Sequence, residues 1–387
     1  MHYHQPSRDL VIPGPAGCAL MALALLAWCI LFLKAEDQVS ILVYMTSGSL
    51  LILIAALSDL HKSISSTIIA NEKSWDYCMV LTILLLILIF KDDHYTLFLL
   101  GTIMVYATAV LGLNVQLGYT GVINFSAASF FGIGSYTAAM LTSSGLPSLL
   151  ALLLGGVFAA LSGCLLLLPV LRTSGHYAAL VTMAFALLFR VFLEVNEWFG
   201  GPQGVSVAPL TLFGLDFSAD LTLGDMAASF YVKYDLACLA LLCLSFAFVR
   251  RLERSWFGLS MDAVRCDETA SACFGINVAR WKIVAFTMGN LLSGLAGALY
   301  AMMLSYISPA NFAFADSLLF LSILLLGGIG NIWGVILATG FVVVIPEKFQ
   351  VIQEYRYLIY AALVLFMILY RPMGLLPRKV RTYGRLP

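Results

Sequence analysis

The sequence predicts an all-α fold, a polytopic transmembrane helical bundle of about ten to twelve apolar segments that includes broken or half-helices. Three observations lead there. Hydrophobic residues make up 61% of the 387-residue chain and charged residues 11%, and the mean hydropathy is +0.96; no water-soluble globule has that balance. The apolar residues gather into runs near the ~20-residue length that carries a helix across a bilayer. Between two of those runs lies GLNVQLGYTGVINFSAASFFGIGSYTAA, residues 112–139. There Asn114, Gln116, Tyr119 and Asn124 sit among small residues, and polar groups in hydrocarbon are tolerated only when satisfied internally, so the run lines a protein interior or a pathway.

The apolar segments follow one another near 12–33, 40–58, 77–90, 95–115, 122–142, 147–171, 176–195, 235–250, 282–304, 317–346 and 355–370. The first follows Arg8 and has no small-residue cleavage site before Lys34, so it reads as an uncleaved span and not a signal peptide. The segment at 77–90 is short and lies between Asp76 and Lys91, which fits a tilted, interfacial or incomplete crossing.

Orientation comes from the two long polar interruptions. Residues 196–234 are rich in Gly, Pro and aromatics, with Asp216, Asp220 and Asp225 but no Lys or Arg before Lys233; this is the external side. Residues 251–281 hold Arg251, Arg254, Arg265 and Arg280 directly after Arg250, and the tail holds Arg371, Arg378, Lys379, Arg381 and Arg385. Positive loops stay in the cytoplasm, so an even number of crossings separates that loop from the tail. A single helix over 317–346 would make the number odd. The break GGIGN at 327–331 restores parity: Gly327, Gly328 and Gly330 end a first half-helix, and the halves form a tight hairpin or a re-entrant pair. Each half spans roughly 20 Å against a ~30 Å core, which favours half-helices meeting inside the protein.

Within 282–304, Gly289, Ser293 and Gly297 recur at four-residue spacing, with Gly294 and Ala298 one position round. Small residues so spaced let helix backbones approach closely, so packing is the first reading there and Asn290 is a pathway candidate on the same helix. Ala128, Gly132, Gly134 and Ala138 form a similar series in which packing and pathway lining stand level. Arg190, Glu194 and Glu197 share one helical face, as an interfacial anchor or as a gating contact. No Asp or Glu is expected deep inside a span, which weakens a proton-coupled mechanism. The loop 251–281 is long enough for a short surface helix ended by Gly275, a contact surface through which an external motor can act.

Other chemistry is thinly represented. GGIGNIWG lacks the lysine of a phosphate loop; His2, His4, His61, His94 and His176 are scattered; the eight cysteines show no C-x-x-C pairing and read as packing residues. No catalytic or metal-ligating residue is assigned. The net charge of zero and the lack of a basic block give no hint of nucleic acid.

Taken together, residues from about Tyr95 to Pro377 resemble the LivM-type permease subunit of bacterial high-affinity branched-chain amino acid ABC importers. The matching motifs occur in family order: GLNVQLGYTGVINF from Gly112, GGPQGV at 200–205, RSWFGLSMDAVRCDETASACFGINVARWKIVAF from Arg254, LSGLAGALYA at 292–301, LLLGGIGNIWGVILA at 324–338 and YRPMGLLP at 370–377. The resemblance implies an ABC importer permease architecture over 95–377, a poorly matched extension of apolar spans at 1–94 and a basic cytoplasmic tail at 378–387. It also implies a multi-pass protein of the bacterial inner membrane, surrounded by lipid. Glu268, Ala270, Ser271 and Gly275 align with the family's E-x-A-A-x-x-x-G coupling loop, Ser271 replacing the second alanine.

The implied machine joins this non-catalytic chain to a second homologous permease, two cytoplasmic ATPase subunits and a soluble substrate-binding protein. ATP is bound by the partner subunits, and this chain holds no cofactor. The substrate pathway is expected at Asn114, Gln116, Tyr119, Asn124, Ser126 and Asn290, for which packing alone is the other reading. The same architecture serves urea and short-chain amide importers; an ion-coupled secondary transporter is the alternative from a different class.

Overall fold

The computed structural model describes residues 15–35, 71–171, 176–212, 215–219, 221–223, 226–348 and 355–370, with scattered positions from 37 to 47 and at 374 and 376. The expected span at 40–58, the start of the span at 12–33 and the basic tail at 378–387 lie wholly or largely outside the described residues. The chain divides into two compact units, Met1–Leu97 and Phe98–Pro387. In the first, helix α1 (Pro15–Lys34) packs against α2 (Glu72–Ile89). At 18 residues, α2 is longer than the segment expected at 77–90, because it starts at Glu72 and takes in Asp76.

The second unit is built around one long helix. α3 (His94–Leu113) runs on into a π-helical segment, Asn114–Tyr119. After a non-helical stretch come α4 (Ala127–Ser143), α5 (Ser148–Leu171), α6 (His176–Val195) and α7 (Tyr231–Glu253). Two short helices follow, α8 (Trp256–Cys266) and α9 (Glu268–Cys273), and then α10 (Val278–Leu304), α11 (Phe314–Gly327), α12 (Ile332–Lys348) and α13 (Arg356–Tyr370). Among the described residues six helices are long and apolar enough to cross a bilayer: those beginning with α1, α3, α5, α6, α7 and α10, α3 being counted through Tyr119. α11 is a shorter apolar helix.

α10 is the centre, packed along α4, α5 and the π-helical segment. The small residues read as a packing series hold it there. A Cβ at Gly289 would run into the carbonyl oxygen of Gly112, and one at Gly134 into that of Gly294, so these backbones touch as only glycine permits. Ser135 Oγ donates to Gly297 O at 2.8 Å and Ser293 Oγ to Ala109 O at 3.3 Å. α6 lies at the other extreme, with Leu187, Leu188, Val191 and Phe192 exposed, as suits a face covered by lipid.

The break at GGIGN is a turn between two packed helices. α11 and α12, 14 and 17 residues long, pack against each other, and their backbones touch at Gly327 and Gly334. Gly328 and Gly330 take φ of 108° and 90°, values reserved in practice for glycine. Gly327, Gly328 and Gly330 are buried, so the turn sits inside the protein.

Several expectations are corrected. α4 begins at Ala127 and not at 122, because the Asn124 side chain gathers the chain into a turn first. The 251–281 loop holds two helices where one was expected: Asp267 is extended and its carboxylate accepts the N–H groups of Thr269 and Ala270, ending one helix and capping the next. Glu197 does not continue the face of Arg190 and Glu194. α6 stops at Val195, and Asn196 opens a 3-10 turn by accepting from Trp198 N; Arg190 and Glu194 do pair, at 2.8 Å. Asp235, which hydropathy puts at the very start of a span, lies one turn inside α7. α7 starts at Tyr231, four residues early, and Asp235 is fully buried with neither carboxylate oxygen hydrogen-bonded among the described residues. Three two-stranded ribbons also occur among the described residues; the relevant one pairs β1 (Val205–Ser206) with Tyr306–Ile307 after α10.

Candidate functional site

The polar run at 112–126 is the place where a membrane helix is interrupted. The Gln116 carbonyl accepts the Thr120 N–H, the Thr120 hydroxyl at 2.8 Å and the Val122 N–H at 3.2 Å. That triple demand turns the chain out of its helix. Gly121 makes the turn with φ of 73°, and Asn124 ends it: its Oδ1 accepts from Ser126 N at 2.8 Å and Ser126 Oγ at 2.7 Å.

The turn brings four of the expected pathway residues together. Gln116 Nε2 donates to Asn290 Oδ1 at 2.8 Å and to Phe286 O at 3.2 Å, while Asn124 Nδ2 donates to Gln116 Oε1 at 2.8 Å. Asn290 is twelve residues into the 27-residue α10, so the cluster sits about 18 Å along the helix axis, near the helix midpoint. Asn114, Gln116, Tyr119, Asn124, Ser126 and Asn290 are all buried, none more than 1% exposed.

Asn114 points elsewhere. Its Oδ1 accepts from Gly330 N at 2.8 Å, tying the π-helical segment to the α11–α12 turn. Gly118 is compelled by this contact, since a Cβ there would lie 2.5 Å from Asn114 Oδ1 and 3.0 Å from the Gly330 backbone. Tyr119 is buried beside these groups but outside the amide cluster. Two donors of the site, Asn114 Nδ2 and Asn290 Nδ2, are buried without a hydrogen-bond partner among the described residues. Gly163 of α5 leaves the room beside Asn290 Nδ2, where a Cβ would collide. Val122, Phe130, Leu167, Val170 and Phe286 form a buried apolar cluster, joined to the amides through the Phe286 carbonyl.

The residues aligned with a coupling loop separate in space. Glu268 is exposed and pairs with Lys282 of α10 at 2.7 Å. Ala270 and Gly275 are exposed, Gly275 in the left-handed region with φ of 80° and open space around it. Ser271 is turned inward and only 4% exposed. Phe274, read from the sequence as one apolar member among several, is 87% exposed, and its place before the helix-ending Gly275 was the available sign. Arg265, read only for its charge, donates through Nη1 to Gly118 O of the π-helical segment.

Residues 95–368 match the family model described as "Branched-chain amino acid transport system / permease component". The chain belongs to this permease family. It is similar to the high-affinity branched-chain amino acid transport system permease protein LivM of Salmonella typhimurium, with 39% identity covering 71% of this chain and 68% of that protein. The probable LivM of Methanocaldococcus jannaschii is 23% identical over 71% of this chain and 91% of its own length. LivH of Escherichia coli, also named as a permease protein of that system, is 26% identical over 70% and 91%. No solved structure matches the chain. Family membership makes the protein a membrane-embedded transport subunit and not an enzyme, with ATP hydrolysis on separate subunits. That LivM and LivH are both permeases of such systems implies a multi-subunit ABC transporter.

Proposed function

We propose that this chain is the inner-membrane permease subunit of an ATP-driven importer for branched-chain amino acids, forming the substrate pathway with a second, homologous permease. The observation that carries the reading is the continuous family match over 95–368 together with 39% identity to a LivM protein. A soluble binding protein delivers substrate at the external face, where the 196–234 loop and the end of α10 are stapled together by the β1 ribbon. Two ATPases dock on the exposed loop at Glu268, Ala270, Phe274 and Gly275. Drawn together by ATP, they displace that loop and open the permease pair alternately outward and inward.

The substrate meets the amide cluster. Asn290 Nδ2, in the cluster, is a donor without an acceptor among the described residues, and a carboxylate passing between the permeases is an acceptor that satisfies it without a full charge to hold it tightly. Uptake of labelled leucine, with labelled urea in parallel, tests the reading in cells that keep the neighbouring transport genes and lack this one. Loss of leucine uptake, abolished also by ATP depletion, is expected; loss of urea uptake alone would move the chain to the amide branch.

A further inference from the structure

We propose that Arg265 is a positioning residue that links the cytoplasmic loop to the polar cluster by holding the carbonyl of Gly118. The inference rests on the coupling role of the loop proposed above, but its geometry is independent of the substrate.

Alternate residues of the π-helical segment are tied to three different parts of the second unit. Asn114 takes the backbone N–H of Gly330 in the α11–α12 turn. Gln116 reaches Asn290 and Phe286 on α10. Gly118 accepts from Arg265 on α8. These three contacts lie at every second residue of a six-residue segment, so a pull at its end acts on the other two. A π-helical turn inside an α-helix is a local departure that recurs at functional sites, and it has the regular α-helix available as a second state, which is what mechanical coupling requires.

The loop side of the link is anchored in the second unit. Met261 and Val264 of α8 are fully buried, fixing the helix from which Arg265 projects. Past the Asp267 cap, Glu268 is bridged to Lys282 at 2.7 Å. The stem of Arg265 passes Gly121, where a Cβ would be at ordinary contact distance, 3.9 Å from Arg265 Cγ. A guanidinium donating to a carbonyl makes a charge-assisted bond, stronger than a neutral one. Displacement of α8 by a docked partner therefore draws on the Gly118 carbonyl, and the Gln116 and Asn114 bonds shift with it.

Two measurements test this. The assembled transporter, reconstituted in liposomes with its partner subunits, is assayed for leucine taken up per ATP hydrolysed with Arg265→Ala, Arg265→Lys and, as a surface control, Arg280→Ala. With Arg265→Ala the ratio is expected to fall about tenfold, as befits loss of one charge-assisted hydrogen bond, with partner subunits still co-purifying. Arg265→Lys recovers part of it and Arg280→Ala leaves it alone. An unchanged ratio, or uptake and hydrolysis falling in parallel, would overturn the proposal. The second measurement is amide hydrogen exchange over residues 114–122 in the detergent-solubilised full chain. Faster exchange there in Arg265→Ala than in Arg280→Ala is expected, and equal exchange would sink the link. Because this readout needs neither leucine nor ATP, it separates failure of the link from failure of the proposed function.

Discussion

Replacing Gln116 and Asn290 by Leu, singly and together, examines whether the amide cluster is the joint between the π-helical segment and α10. Gln116→Leu removes three bonds, two of them to α10 and one from Asn124. At the roughly 0.6 kcal/mol that an interhelical hydrogen bond averages in a membrane protein, the loss is about 2 kcal/mol. Asn290→Leu removes the Gln116 bond and the 3.5 Å contact from Asn124, but it also deletes an amide nitrogen that had no acceptor. Its cost is smaller, about 1 kcal/mol by the same measure. The shared bond is lost once in the double variant and twice in the sum of the singles. The double variant should therefore be more stable than additivity predicts by about 0.6 kcal/mol, and by no more than about 1.7 kcal/mol. Denaturant-driven unfolding of the purified chain in mixed micelles supplies the four free energies, and leucine uptake is read on the same variants. A large and repeatable coupling of the opposite sign, or Asn290→Leu costing more than Gln116→Leu, would refute the bonding pattern. Strict additivity would show that the two side chains do not share a bond.

Further outcomes follow from other contacts. Gly134→Val drives a branched side chain into the Gly294 carbonyl and should destabilise by about 1–3 kcal/mol, the usual range for overpacking, read as a lower unfolding midpoint; no change would mean that α4 and α10 are not in backbone contact. Glu268→Arg exchanges an exposed ion pair for a like-charge contact with Lys282, and Gly275→Arg puts a side chain on a left-handed residue facing open solvent. Both should leave the chain inserted and uncouple ATP hydrolysis from uptake, and undiminished uptake in both would remove the docking site. In the 196–234 loop, the Ser218 N–H, helped by the Ser218 hydroxyl and the Lys233 charge, holds the Asp216 carboxyl below its ordinary range. Its contribution is complete above the unfolded-state value of about 3.9 and is lost as pH falls through the lower folded value. The Ser218 amide should keep its chemical shift down to about pH 4 and change only below it; a change already at pH 5 to 6 would contradict the contact.

The membrane class, the order of the segments and the break at Gly327–Gly330 were legible in the sequence, since each depends on a run of apolar residues or on glycine's own conformational freedom. The polar residues Asn114, Gln116, Asn124 and Asn290 stood out for the same reason: amides are rare among such neighbours. What the sequence hid were pairings at long separation. Nothing local joins Gln116 to Asn290 or Arg265 to Gly118, and a charge in a cytoplasmic loop reads first as topology. Asp235 was hidden differently. Its burial depends on where α7 begins, and helix starts are set by capping and tertiary contacts that hydropathy does not register. Ser271 looked like a contact residue by alignment, yet the turn of a six-residue helix directs it inward.

The ribbon between β1 and the residues after α10 has a consequence for how the protein is made. Val205 pairs with Ile307 and Ser206 with Tyr306, partners about a hundred residues apart, and the Val207 N–H donates to Ser305 O at 2.9 Å. At the ~5–20 residues per second of translation, the first strand waits on the order of 5–20 s for the second to emerge. During that interval α7 is still being made and threaded, while the loop joining it to α6 has its edge unpaired. Closure of the ribbon thus requires that α10 deliver Tyr306 and Ile307 to the end of the bundle where Val205 and Ser206 lie, and a chain whose central helix enters inverted cannot close it.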